Sequence, residues 1–229
     1  MRNVFRKEIK YVVHESQFYA IRSKLAALMR PDPHAKGSLG EYHVRSLYFD
    51  SAGDRDLKDN LDGVLEKRKI RIRIYDPNSP TALLEYKCKS GSDSRKMSIG
   101  ITKEEAILME NRHFECLLNH QEELAIFLYN KITQNIYRPR TIVDYDRVPF
   151  LYPVGDTRIT FDYNLKGSLS PRGLYDERLP MRAIMPSGFG VLEVKYNEFL
   201  VSPLQRIISE LDQLPEASSK YTNARLIYY

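Results

Sequence analysis

Between Lys69 and Tyr75 the chain reads Lys-Ile-Arg-Ile-Arg-Ile-Tyr. Side chains alternate across a strand, so Lys69, Arg71, Arg73 and Tyr75 share one face and Ile70, Ile72 and Ile74 the other. The habit recurs in three more stretches: Arg6, Glu8 and Lys10 align near the start, Glu85, Lys87 and Lys89 align in Leu83–Lys89, and Glu193 aligns with Lys195 in Val191–Tyr196. One such strand is an ordinary half-solvated strand of an antiparallel sheet. Four charged faces, with basic residues ahead of acidic ones, predict a surface for a polyanion. Arginine's planar fork fits phosphate oxygens and lysine adds a point charge. If the sheet closes on itself, the charged side lines a tunnel and the apolar side faces outward under helices. Crowded like charges then need a polyanion to be tolerated. The carboxylates on these faces also fit a role, because a divalent cation takes oxygen ligands from carboxylates and substrate phosphates together. Glu193 is the first candidate ligand, followed by Glu8 and Glu85. A salt bridge to a neighbouring Lys or Arg explains Glu8 and Glu85 equally well.

The elements that must position these faces follow from periodicity. Strands are expected at Phe5–Val13, Glu41–Asp50, Lys69–Tyr75, Ala82–Lys89, Arg140–Phe150, Thr157–Asp162 and Val191–Tyr196, the third and fourth forming a hairpin around Asp76-Pro77-Asn78-Ser79-Pro80. Helices are expected at Ser16–Met29 with Ser16 as N-cap, from Thr102 with Thr102 as N-cap, at Gln121–Asn135, and at Leu204–Leu214. Pro31–Gly40 and residues 166–190 read as loops. Seven or eight strands without regular βαβ alternation predict an antiparallel α+β fold, with residues 1–229 as one domain.

Composition narrows the function classes. The 229 residues carry a formal net charge of +5, which by itself does not establish an anionic partner. Two cysteines, Cys88 and Cys116, make no disulfide framework and suit a reducing compartment. The first residues lack the apolar core of a signal peptide, and no apolar run approaches the ~20 residues of a membrane span. A soluble, cytoplasmic protein is the expectation. The five histidines show no metal-ligand spacing. The acidic run Asp50, Asp54, Asp56, Asp59 and Asp62 lacks the spacing of a calcium loop and reads as a solvated turn. Sixteen tyrosines raise base stacking on single-stranded nucleic acid as a minor alternative, without a basic run or RNA-binding signature to support it.

An ordered set of short motifs spans nearly the whole chain. Arg6-Lys7-Glu8-Ile9-Lys10-Tyr11, Ser46-Leu47-Tyr48-Phe49-Asp50, Lys69-Ile70-Arg71-Ile72-Arg73, Leu84-Glu85-Tyr86-Lys87, Tyr145-Asp146-Arg147, Arg158-Ile159-Thr160-Phe161-Asp162, Leu192-Glu193-Val194-Lys195-Tyr196 and Ser219-Lys220-Tyr221 follow one another. In this order they resemble the polyphosphate-polymerase (VTC, vacuolar transporter chaperone) domains of the triphosphate tunnel metalloenzymes. The resemblance implies an antiparallel, eight-stranded closed β-barrel, a tunnel, with flanking helices. It implies that Lys10, Arg71, Arg73, Lys87, Arg158 and Lys220 act on the phosphates. Arg6, Lys96, Tyr145, Arg147, Lys195 and Ser219 would help bind substrate, and Glu193 would bind Mn²⁺ or Mg²⁺. The wider superfamily opens with Glu-x-Glu-x-Lys, whereas Arg6 stands here in place of the first Glu. Loss of that acid weakens a two-metal hydrolase reading and suits the polymerase branch.

The activity implied is transfer of the γ-phosphoryl group of ATP to a growing polyphosphate chain. Such transfer needs in-line positioning and neutralised oxygens, and no protein nucleophile. Hydrolysis of triphosphates or polyphosphate and non-catalytic polyphosphate binding use the same cradle and stay open. The partners expected are ATP and inorganic polyphosphate, with no nucleic acid. The companion domains and membrane helices of the eukaryotic complex are not seen in this sequence, which leaves room for a separate membrane partner.

Overall fold

A computed structural model describes residues 6–91 and 93–227, with only the backbone described for Arg6 and Asp93. The elements run β1 (Arg6–His14), α1 (Glu15–Leu28), β2 (Arg30–Pro31), β3 (Tyr42–Asp50), α2 (Arg55–Leu61), β4 (Glu66–Ile74), β5 (Thr81–Ser90), β6 (Asp93–Thr102), α3 (Lys103–Glu110), α4 (Glu123–Gln134), β7 (Arg138–Tyr152), β8 (Thr157–Ser168), β9 (Arg182–Ala183), β10 (Phe189–Asn197), α5 (Ser202–Ser209) and α6 (Lys220–Leu226). The α+β class and the antiparallel sheet with flanking helices are as expected.

The closed eight-stranded barrel is not what forms. Ten strands make a sheet of order β1-β10-β8-β7-β3-β4-β5-β6, with β2 on β7 and β9 on β8. Among the described residues no pairing joins β1 to β6, so the order is open. Both end strands carry charged side chains, Lys7, Glu8 and Lys10 on β1 and Arg95 and Lys96 on β6. Charge is a common means of keeping an exposed edge from pairing further.

The chain divides into two compact units. The first comprises residues 1–43, 145–165 and 183–219. Its core joins Val13, Phe18, Ile21, Leu25, Val148, Phe161, Leu192, Val194, Leu204 and Ile207. Helix α1 buries Phe18, Ile21 and Leu25 at helical spacing, as the sequence predicts. Its N-cap is His14 rather than Ser16, because helical geometry already starts at Glu15. The His14 ring accepts from the Ser16 N–H while Gln17 Oε1 accepts from the His14 N–H at 2.9 Å. Helix α5 buries Leu204, Ile207 and Ile208 and stops at Ser209, five residues short of the expected end.

The second unit comprises residues 44–144, 166–182 and 220–229. Ile70, Ile72, Ile74, Leu84 and Ile99, from one face of β4, β5 and β6, join a core with Ala106, Met109, Leu128 and Ile132 of α3 and α4. Thr102 caps α3 as expected, accepting from the Glu105 N–H at 3.1 Å while Glu105 Oε2 accepts from the Thr102 N–H at 2.8 Å. Five elements were not foreseen: α2, β6 and α6, and the two-residue strands β2 and β9. The supposed solvated turn contains α2 instead. Asp50, fully buried, accepts from the N–H groups of Asp56 and Leu57 at 2.9 and 3.0 Å and so satisfies the helix start. Tyr221 of α6 donates its hydroxyl to Oδ2 of the same carboxylate, the oxygen that accepts from Leu57, at 2.5 Å.

Candidate functional site

The charged faces of the sheet are built row by row. In the second unit, the register sets Tyr48, Arg71, Glu85 and Ser98 opposite one another across β3, β4, β5 and β6. One step inward lie Ser46, Arg73 and Leu83, and one step outward lie Lys69, Lys87 and Lys96. Glu85 is the buried hub, only 2% exposed. Arg71 Nε donates to its Oε2 at 2.6 Å, Arg73 Nη2 lies 3.6 Å from the same oxygen, and Lys96 pairs with Oε1. Burial alone would raise the Glu85 pKa, but Arg71, Arg73 and Lys96 overcome it and hold the carboxyl down at about 2. Arg71 also donates to the Tyr48 hydroxyl at 2.8 Å and sits over that ring at 5.6 Å. Burial raises the Tyr48 pKa, yet Arg71, Arg73 and Lys220 bring it below the usual phenol value. Tyr48 stacks on Tyr221, with ring centroids 5.3 Å apart. Arg225 of the same helix pairs with Asp54 at 2.9 Å and donates to the Tyr221 hydroxyl at 3.0 Å. Lys220 opens α6 and Ser219 precedes it, half-buried.

In the first unit, the register sets Lys10 opposite Glu193 and Thr160, and Glu8 opposite Lys195 and Arg158. Lys195 Nζ donates to Glu193 Oε2 at 2.9 Å, and Lys10 Nζ lies 3.7 Å from Oε1 of the same carboxylate and 3.2 Å from Glu8. Lys10 also donates to the Ser218 carbonyl at 2.8 Å. Burial draws the Lys195 ammonium down to about 8, with Glu193 and Glu8 resisting and Arg147 adding to the fall. Burial and the neighbouring Glu193 push the Glu8 pKa up, but Lys195 and Lys10 outweigh them and the net shift is downward. Arg147 is committed to a two-pronged pair with fully buried Asp162, at 2.6 and 2.8 Å, and reaches Glu193 only at 3.9 Å. Its guanidinium lies 5.2 Å from the ring centre of buried Tyr145. Arg158 donates to Asp32 at 3.1 Å and to Tyr42 at 2.8 Å.

The structure thus gathers Arg71, Arg73, Glu85, Lys87 and Lys96 in one unit, and Glu8, Lys10, Arg147, Arg158, Glu193 and Lys195 in the other. The side chain of Arg6 lies outside the described residues. Among the described residues no cluster of three or more His, Cys, Asp or Glu could hold a metal on its own. Glu8 and Glu193 nevertheless fit a divalent cation. They are hard oxygen donors on paired strands that share Lys10 as a neighbour, at 3.2 and 3.7 Å, and phosphate oxygens and water would complete the coordination. Glu85 is held more tightly, by Arg71 at 2.6 Å and by Lys96, than Glu193, whose three cations Lys195, Lys10 and Arg147 lie at 2.9, 3.7 and 3.9 Å.

Over residues 5–229 the sequence matches the VTC domain. The chain belongs to the VTC domain family. Membership connects this VTC domain with polyphosphate- or triphosphate-related chemistry. None of the curated protein sequences matches it. Among solved structures, a Bacillus halodurans protein assigned provisionally as an adenylate cyclase is similar with a TM-score of 0.54 at 14% identity, covering 93% of this chain and 96% of its own. That likeness supports the fold alone. A Pyrococcus horikoshii protein, PH1819, is similar at a TM-score of 0.49 and 14% identity, covering 98% of this chain and 100% of its own. Among the described residues of the VTC domain, no helix is long and apolar enough to cross a membrane. Sequence reasoning did not single out Tyr48, Tyr221, Asp162 or Asp32 as partners of the basic residues. Tyr48 and Tyr221 lay inside quoted motifs, but only the strand register and the docking of α6 reveal what they touch.

Proposed function

We propose that residues 1–229 act as a metal-dependent polyphosphate polymerase that uses ATP. The terminal phosphate oxygen of the chain attacks the γ-phosphorus of ATP, the bond to the β-phosphate oxygen breaks, and ADP leaves with that electron pair. The observation that carries this reading is the block of Arg71, Arg73, Lys87 and Lys96 arranged around one buried carboxylate, Glu85. Such a concentration of cations on one strand face matches a ligand with several linked phosphates. Arg71 and Arg73 hold equatorial oxygens in orientation, and Lys87 and Lys96 neutralise the chain. Lys220 adds charge where oxygens gain it in the loose transition state, and in the first unit Lys10, Lys195 and Arg158 form a cationic group of their own that suits phosphate oxygens. Arg147 acts mainly through Asp162, as a fixed positive wall beside Glu193, while Tyr145 supports it and Ser219 offers a hydroxyl. Glu193 and Glu8 would hold Mn²⁺ or Mg²⁺, which would supply neutralisation of phosphate charge. Glu85 serves as a fixed counter-charge.

The test is incubation of the pure protein with ATP and Mn²⁺, followed by separation of long-chain phosphate from orthophosphate. Long chains with ADP release support the proposal. Orthophosphate alone would replace it with a hydrolase, and chain binding without turnover would replace it with a binding module.

A further inference from the structure

The basic face of β4 and β5 does not stop at the residues assigned above. Beyond the row of Lys69, Lys87 and Lys96, the register sets Lys67 directly opposite Lys89, with Ser94 next to it. On this face of β4, β5 and β6, Glu85 is the sole carboxylate among the described residues. Like charges directly opposite one another on a sheet destabilise it, so Lys67 opposite Lys89 favours an anion at that row. Arg73, at the inner end of the face, is buried, Arg71, Lys69, Lys87 and Lys67 are half-buried, and Lys96 and Lys89 are exposed. Same-face residues on a strand lie about 6.7 Å apart, so the rows from Arg73 to Lys67 span roughly 20 Å.

We infer that Lys67, Lys69 and Lys89 form an outer subsite that grips a phosphate chain beyond its reacting end and so selects long chains over short ones. The inference rests on the phosphate reading of the same face. A triphosphate held at Arg71 and Arg73 is too short to reach the outermost row, whereas a long chain is not. Single-stranded nucleic acid is the poorer fit. The two lysine rows carry no aromatic side chain on which a base could stack. The nearest ring on that face, Tyr48, is buried against Tyr221.

The test compares the wild type with Lys67→Gln/Lys89→Gln, which removes the outermost charges and keeps similar side-chain length. Binding of tripolyphosphate, of long-chain polyphosphate and of a single-stranded oligonucleotide is measured by calorimetry at one salt concentration. The expected result is a loss of about tenfold in long-chain affinity, with tripolyphosphate binding within about twofold of wild type. Equal losses for both phosphate ligands would show a diffuse field instead of a subsite and overturn the inference. Unchanged long-chain affinity would overturn it as well. Wild-type preference for the oligonucleotide, lost in the variant, would reassign the rows to nucleic acid. Product analysis with ATP is read separately. A wild type that makes no polymer but keeps length-selective binding overturns only the polymerase reading, and length-independent binding with polymer formed overturns only the subsite.

Discussion

Replacing Glu85 by Gln is the perturbation whose size the structure sets most directly. The carboxyl falls from an ordinary 4.5 to about 2 because Arg71, Arg73 and Lys96 converge on it. That difference corresponds to about 3 kcal/mol of preference for the charged form in the folded state. The sign is that of a depressed acid. The contribution is complete above about pH 4.5 and is lost as the pH falls through about 2. Glu85→Gln removes it at neutral pH and leaves cations without their counter-ion, a change of the kind that costs about 3 kcal/mol or more in a buried pair. At about 2–4 °C per kcal/mol for a chain of this size, Tm should fall by about 6–12 °C. Differential scanning fluorimetry from pH 7 downward is the assay, and the gap should narrow below about pH 4.5. The variant should also gain more Tm from tripolyphosphate than the wild type does, since the phosphates no longer compete with a built-in anion. An unchanged Tm at pH 7, or a gap that persists on acidification, would refute the electrostatic account. Loss of Mn²⁺ affinity in the variant would show that Glu85 is a metal ligand after all.

Glu193→Gln should abolish metal-dependent turnover across a Mn²⁺ titration while the far-UV circular dichroism stays the same. Unchanged turnover would place the ligand elsewhere. Tripolyphosphate affinity should fall as the pH rises through about 8, where Lys195 loses its proton, and Lys195→Arg should flatten that step in a calorimetric pH series. Because burial holds this lysine below its ordinary 10.5, the folded state binds its proton less tightly than the unfolded chain does, so its contribution to stability grows between about pH 8 and 10.5. Asp50→Asn should lower stability by about 3 kcal/mol in urea unfolding, combining a lost helix cap with a weakened bond to Tyr221. A loss under 1 kcal/mol would mean that α2 and α6 are held by apolar contacts alone.

The faces of the strands were legible because period-two alternation survives in each of them. Lys69 to Tyr75 has no exception, and the structure puts Ile70, Ile72 and Ile74 in the core as that pattern requires. The register was not legible. Nothing local says that Tyr48 faces Arg71, since β3 and β4 are separated by α2, and the turn between β4 and β5 does not by itself fix which residue meets Lys69. Helix α2 was lost for a related reason. An acidic run reads as solvated until Tyr221 and Tyr137, both distant in the chain, supply donors to Asp50 and Asp56. Strand β6 alternates at Met97, Ile99 and Ile101, but Ser94, Ser98 and Gly100 between them weaken its local signal. Helix α6 has seven residues, too short to announce itself without the partners that hold it. The open sheet order shows a different limit, because charged faces predict where a ligand binds but not whether the end strands pair.

Glu85 can also be viewed as a resident competitor. An orthophosphate ion arriving at Arg71 must displace a carboxylate that is tethered in place, already desolvated and never diluted. One phosphate group offers little in exchange. A chain engages several cations at once, and each later contact forms at the high effective concentration set by the first. Under the proposed function the buried carboxylate would therefore set an admission threshold, turning away single phosphates that are abundant in any cell and yielding only to phosphates that come linked together.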